Sequence, residues 1–341
     1  MSVNTFSGTP AVPSSYGFAA GKNKIINGDF GVWQRGTSFT ATNIYCADRF
    51  RNDYDGSGTR TTTQQSFTPG SAPVSGYEAQ YYLQVVQAAT SGQTYSSNSY
   101  RGEDVRTYAG QTVTVSFWAK ADAARQIGVD TIQFFGSGGS ANVTTTIQYV
   151  TLSTSWTRYA LTFSIPSITG KTIGSGNFWQ VDFLYTLNTA QTISLWGVQV
   201  EAGSVATAFQ TATGTLQGEL AACQRYYQKS YDQATAVPTN ASINGLVHAV
   251  IPGNTLITNA YYLYSQRFPV VMRTSPTVTI YSYTSSSTSR VSDGNGNDAA
   301  ANTGVAVRIG QANFQVYNNS GGNVTPTLNL LTFHYAADAE L

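Results

Sequence analysis

Between Lys22 and about Phe209, apolar and polar residues alternate in short bursts cut off by Gly, Ser, Asn and Asp clusters. This period of two restricts the fold more than any other feature, because a strand turns successive side chains to opposite faces. Val113, Val115 and Phe117 share one face, as do Tyr159, Leu161, Phe163 and Ile165, and again Trp179, Val181, Phe183 and Tyr185. Many short half-buried strands with turn signals between them predict a β-sandwich. In the run 193–200 the apolar set moves from odd to even positions across Trp196 and Gly197. A β-bulge at the glycine accounts for the shift.

A helical period is confined to 218–229, where Leu220, Cys223 and Tyr227 form one stripe, and it predicts one short connecting helix. Val278/Ile280, Val305/Val307/Ile309, Phe314/Val316 and Leu331/Phe333/Tyr335 then mark new strands, interrupted by a Ser/Thr tract at 284–289 that reads as a loop. At 341 residues the chain suits two domains better than one core. The expected organisation is an arm at residues 1–21, a sandwich at 22–209, a linker with the short helix at 210–229, and a smaller C-terminal β domain at 230–341. The arm is small and polar, with Pro10 and Pro13, and cannot nucleate a core. No repeat of fixed period is present, which argues against a propeller, a β-helix or a long shaft.

Charged residues supply only 10% of the chain, and 22 tyrosines contribute to an aromatic content of 13%. The surface is therefore polar through Ser, Thr, Asn and Gln. The 18 basic and 17 acidic residues give a net charge of +1 without a basic stripe, so nucleic acid is not an expected partner. Two cysteines, Cys46 and Cys223, make no disulfide framework and read as buried free thiols. The first residues carry no charged and apolar leader, and no run has the length of a membrane span. Synthesis as a soluble protein without membrane insertion is the expectation.

His248 and His334 lack an acidic partner or metal-ligand spacing, so neither a triad nor a zinc site is visible. Polysaccharide cleavage needs two carboxylates about 5 to 10 Å apart, and none of the acids sits in a recognisable catalytic motif. Sugar recognition uses aromatic faces with polar groups beside them. Asp53 with Tyr54, Tyr95 with Tyr100, and Tyr281 with Tyr283 are the candidates, although the same tyrosines serve equally as contacts between sheets or subunits. Asp293, Asn295 and Asn297 place oxygens at alternate positions, like the start of a calcium loop. Asp298 and Gly304 stand where that loop needs glycine and glutamate, so an exposed turn held by Asx side chains is the better reading and calcium the weaker one.

Three segments carry a family resemblance. The run 23–36, Asn-Lys-Ile-Ile-Asn-Gly-Asp-Phe-Gly-Val-Trp-Gln-Arg-Gly, followed by Tyr45-Cys46-Ala47-Asp48-Arg49-Phe50, resembles the opening strand of a carbohydrate-binding-module-like jelly roll in bacteriophage tail-fibre and tail-associated structural proteins. The run 196–209 resembles the closing strand of that domain, and Cys223-Gln224-Arg225-Tyr226-Tyr227 a stretch that follows it. The run 333–341 is similar to the last strand of phage tail C-terminal domains. Gly28 and Gly31 permit tight backbone, Ile25, Phe30 and Trp33 are core candidates, and Arg35, Asp48 and Arg49 read as an internal ion-pair cluster. Gly31 and Trp196-Gly197 depart from the acidic positions of the family's calcium cage.

The resemblance implies an all-β jelly-roll sandwich followed by a short helix and a smaller C-terminal β domain. It implies a non-enzymatic virion protein, a tail fibre or receptor-binding subunit. Its partners would be other virion proteins through the arm, two further copies in a homotrimer, and a host surface glycan. The alternatives are a capsid decoration or head-fibre protein and a polysaccharide-degrading tailspike-like enzyme.

Overall fold

The computed structural model describes residues 21–253, 256–257, 261–299, 301, 303–318 and 325–341. The expected arm therefore lies, Gly21 apart, outside the described residues. The chain enters through β1 (Ser38–Phe39), β2 (Ile44–Tyr45), β3 (Phe50–Tyr54), β4 (Arg60–Ser66), β5 (Tyr81–Gln87), β6 (Ser96–Gly102) and β7 (Thr112–Ala121). It continues through β8 (Arg125–Phe134), β9 (Val143–Thr144), β10 (Gln148–Leu152), β11 (Thr157–Ser164), β12 (Phe178–Tyr185) and β13 (Gln191–Ala202). The strands pair antiparallel into a six-stranded sheet, β1-β4-β5-β13-β7-β11, and a seven-stranded sheet in which β9 joins the path β10-β8-β12-β6-β3-β2. The chain crosses repeatedly from one sheet to the other, as a jelly-roll sandwich requires.

The core follows from the alternation. Val113, Val115 and Phe117 of one sheet meet Val181, Phe183 and Tyr185 of the other, all buried. Fully burying side chains of this size stabilises by roughly 1.5–3 kcal/mol each before entropy is counted. Ile25, Phe30 and Trp33 join the same cluster. The register of β13 against β7 slips between Trp196 and Gln199, where the bulge was expected. Gly197 there has φ +65°, and a Cβ on it would lie 2.7 Å from the Trp118 ring. Only glycine combines that backbone with that contact.

Helix α1 (Leu216–Gln224) is capped by Thr215, whose hydroxyl accepts from Gly218 N at 3.0 Å. It ends before the expected stripe is complete. Tyr227 belongs to β14 (Tyr227–Lys229) and pairs with Asp338, so strand pairing overrides the helical spacing there. The buried residues of the helix are Glu219 and Cys223. The Glu219 carboxylate accepts from Asn27 N at 2.6 Å and Thr213 N at 2.7 Å, tying helix to sandwich. Cys46 and Cys223 are both free and buried.

Beyond β14 come β15 (Val247–Val250), β16 (Tyr261–Arg267), β17 (Thr277–Tyr281), β18 (Ser292–Asp293), β19 (Val305–Val307), β20 (Asn313–Asn318) and β21 (Leu330–Asp338). Strand β21 is the spine, pairing with β14, β15, β17 and β18, while β16-β20-β19 form a separate sheet. Ile280, Phe314, Val316, Leu331, Phe333 and Tyr335 make a second apolar cluster, distinct from the first. Ile309 lies beyond the end of β19 and packs, partly buried, against this second cluster.

The two clusters are joined by charge. Arg35 pairs with Asp48 at 3.0 Å and with Glu340 at 3.1 Å, and the fully buried Arg49 also pairs with Glu340. The Arg35 guanidinium lies 3.8 Å from the Tyr227 ring centroid, and that of Arg49 lies 3.3 Å from that of Tyr226. The expected ion-pair cluster is therefore present, and its last member is Glu340, which comes from the C-terminal segment.

Candidate functional site

Alternation on the seven-stranded sheet sends Ile127, Val129, Val181 and Phe183 into the core. It sends Gly128, Asp130, Asp182 and Leu184 to the outer face. A groove of about 550 Å³ crosses that outer face, lined by these four residues and by Tyr95, Gln126, Ile147, Tyr149, Thr186 and Leu187. Tyr149 is 60% exposed and Tyr95 40%, so two aromatic rings stand free at its sides. Gly128 makes this possible, because a Cβ there would lie 2.8 Å from Ile147 and 3.2 Å from Tyr149. Its bare backbone lets both side chains fold over the sheet.

The floor holds two carboxyl groups in direct cross-strand register, Asp130 of β8 and Asp182 of β12. Both residues are only 5% exposed. Gln180 Nε2 donates to both Asp182 oxygens at 2.9 Å, and Gln180 Oε1 accepts from Arg101 Nε at 2.8 Å. Asp130 Oδ1 is buried and takes no hydrogen bond from an amide, hydroxyl or guanidinium. Burial, followed by the negative charge of Asp130, pushes Asp182 up to about 8, and burial raises Asp130 as well. Two touching carboxyl groups out of water keep one proton between them.

Ser99, opposite Asp182 on β6, gives its hydroxyl to Asp53 at 3.0 Å, and Arg51 pairs with Asp53 at 2.8 Å. No lysine or arginine lines the groove. On the adjoining strands β3 and β6, Arg51 is engaged by Asp53, and Arg101 by Gln180 and the Leu341 carbonyl.

The residues singled out in the sequence divide. Tyr95 stands at the groove, and Asp53 lies on the same outer face. Tyr54 is half-buried, its hydroxyl donating to Thr40 O. Tyr100 does not contact any ligand space on this face: it is 1% exposed, with its hydroxyl donating to Lys24 O at 3.0 Å and accepting from Ile26 N at 3.1 Å. Its odd spacing from Tyr95 turns it into the core. Tyr281 and Tyr283 are half-buried in the C-terminal region, far along the chain from the groove, with Tyr281 edge-on to Tyr231.

Asp293, Asn295 and Asn297 form a closed turn. The Asp293 carboxylate accepts from Asn295 N at 2.9 Å, Asn297 N at 2.8 Å and Asn297 Nδ2 at 3.1 Å. Its oxygens serve the turn, as the Asx reading expects. Among the described residues no group of three or more His, Cys, Asp or Glu is placed to hold a metal. His334 is buried, with Nδ1 2.8 Å from Ser230 Oγ and Nε2 2.8 Å from Ser242 O. Tyr231 stacks on it at 3.7 Å, and burial lowers its pKa below the ordinary value. A neutral ring with no carboxylate behind it is a packing element. His248 is exposed.

No protein-family model matches the sequence, and no curated protein matches it. Among solved structures it is similar to the enzymatically active domain of tailspike protein 4 of bacteriophage CBA120, at 14% identity and a TM-score of 0.35, covering 53% of this chain and 22% of that one. It is also similar to the family 11 carbohydrate-binding module of a Clostridium thermocellum cellulase, at 14% identity and a TM-score of 0.33, covering 51% and 99%. A family 61 module solved with β-1,4-galactotriose gives 9% identity, a TM-score of 0.32, and coverage of 53% and 99%. This chain thus spans about a fifth of the tailspike and nearly all of each module. Likenesses of this size accompany the sandwich architecture and carry no statement about what the chain binds.

Sequence reasoning missed Asp130, Asp182, Gly128 and Tyr149. The available signal was an aspartate at an outward position of two strongly alternating strands, Ile127–Gln133 and Trp179–Tyr185.

Proposed function

We propose that the chain is a non-enzymatic virion-surface protein whose sandwich binds glycan in the groove over β8, β10 and β12. The groove carries this reading. Free aromatic rings at its sides offer faces to pyranose rings, and its floor offers amide, hydroxyl and carboxyl groups to sugar hydroxyls. A volume of about 550 Å³ is ample for several sugar units' worth of contact surface. Contact between Asp130 and Asp182 supports binding over cleavage, since a glycosidase needs its carboxyl groups about 5 Å or more apart to admit the anomeric carbon.

The virion assignment is supported by the three tail-protein-like segments, which lie together in the structure. Asn23 Nδ2 donates to Val198 O at 3.2 Å, and Glu340 pairs with Arg35 and Arg49. On this reading residues 1–21 dock to the particle, the chain is a homotrimer, and the sandwich faces the host surface glycan. A glycan array probed with the intact protein and with Tyr149→Ala tests the groove. Binding that is lost with the ring supports the reading, and binding indifferent to it removes the groove from consideration. Antibody labelling of phage particles and native mass spectrometry test location and trimer.

A further inference from the structure

We propose that the groove selects uncharged glycans and rejects acidic ones, because its floor is the buried Asp130–Asp182 carboxyl pair and no lysine or arginine lines it. This inference rests on the glycan reading above and names the ligand class. Four observations carry it. The two aspartates are direct cross-strand partners. Each is 95% buried and lines the groove. Asp130 Oδ1 is fully buried and takes no hydrogen bond from a neighbouring amide, hydroxyl or guanidinium, so the proton shared with Asp182 is what satisfies it. Gln180 fixes Asp182 from the side, donating to both its oxygens, which leaves the space between the two carboxyl groups to the proton.

The charges that face this pair are few. Asp53 on β3 adds a further negative charge, and it is engaged by Arg51 and Ser99. Arg101 on β6 acts through Gln180. From β8, β10 and the residue just before β10, the neighbours Gln126, Gly128, Ile132, Ile147 and Tyr149 are uncharged. A uronate, sialate or phosphate entering the groove would therefore meet negative charge with no cation to offset it, and like charges in a poorly hydrated site repel strongly. A neutral sugar brings no charge to the pair, and its hydroxyls can exchange hydrogen bonds with Tyr95, Gln126 and Thr186 of the lining.

The shared proton also makes binding pH-dependent. With one proton the pair carries a single charge and the two carboxyl groups hold together. When that proton leaves, at a pH above the ordinary carboxylate range, a second charge appears and the two groups repel, which disturbs the groove floor. Affinity for neutral glycans then falls by about tenfold.

The test uses the full chain with paired neutral and acidic polysaccharides, for example a glucan or galactan against a polyuronate, titrated by calorimetry between about pH 6 and pH 9. The expected result is binding to the neutral polymer that weakens as pH rises, with the polyuronate bound at least about tenfold less tightly. Asp182→Asn, or Asp130→Asn if the first does not fold, is expected to remove the pH dependence whatever its remaining affinity. Equal affinity for both polymers, or wild-type binding that ignores pH, overturns the selectivity while leaving glycan binding intact. Binding abolished by EDTA and restored by calcium overturns it too, by assigning the pair to a cation. No binding to any glycan overturns the functional reading and this inference together.

Discussion

The outer faces of the two sheets come from the same alternation and end in opposite states. On the six-stranded sheet, Trp118 and Trp196 point outward and lie 5.4 Å apart. The chain then seals them with Phe67, Tyr77 and Phe209, the last 4.9 Å from Trp196. Trp196 is fully buried as a result. On the seven-stranded sheet the outward residues include Asp130, Asp182, Ser99 and Gln180, and an open groove lies over the first two. One outer face is thus a second layer of core, and the other is a polar platform with a desolvated carboxyl pair. A platform of that kind costs stability without adding packing, and such local conflicts with good folding gather at working surfaces.

That contrast is broken most severely on the sealed side. Trp196→Ala is expected to destabilise by about 3–5 kcal/mol through the cavity it leaves, visible as a large drop in the denaturant midpoint, with the glycan affinity of the folded fraction unchanged. Next in size is the joint between the apolar clusters, where buried charges are paired. Glu340→Ala strands the buried Arg49, and a loss of roughly 3 kcal/mol is expected in thermal or denaturant unfolding.

The buried charges of the open face behave differently, because they repel. Asp182 is raised in the folded protein, so folded molecules hold more protons than unfolded ones from the ordinary aspartate range near 4 up to about 8. Stability from this group is complete below that window and is lost as pH rises through it. Asp182→Asn should flatten that part of a pH series of melting temperatures; an unchanged slope would show that the pair does not titrate as described.

Smaller still is the effect of removing an exposed ring. Tyr149→Ala should leave stability within about 0.5 kcal/mol while weakening glycan binding by about tenfold. At the bottom of the scale is the turn at 293–298. EDTA or added calcium should leave its amide exchange rates and the melting temperature where they are, because the Asp293 oxygens are occupied by backbone and side-chain donors of the turn.

Much of the fold was legible because it is written locally. Each alternating run identified its own inward face, and the shift at Trp196-Gly197 identified the bulge before the register of β13 against β7 displayed it. Arg35, Asp48 and Arg49 could be grouped because few charges compete for partners. Their partner Glu340 could not, since it joins them only after the C-terminal strand has docked. The groove is non-local in the same way. Asp130 and Asp182 become a pair through strand register, and register follows from the packed sheet. The tyrosine pairs were chosen by nearness in sequence, which brought Tyr100 in although strand parity turns it inward. The helix end was misplaced for a related reason, since pairing of Tyr227 with Asp338 across the molecule decides it.

If the open face of the seven-stranded sheet is the binding face, a neutral polysaccharide should shield the strands beneath the groove. Hydrogen–deuterium exchange of the intact protein with and without a neutral polysaccharide tests it most directly. The expected result is ligand-dependent protection confined to β8, β10, β12 and the segment carrying Tyr95. Protection appearing instead around Tyr281, Tyr283 and the 293–298 turn, with the groove strands unchanged, would contradict it.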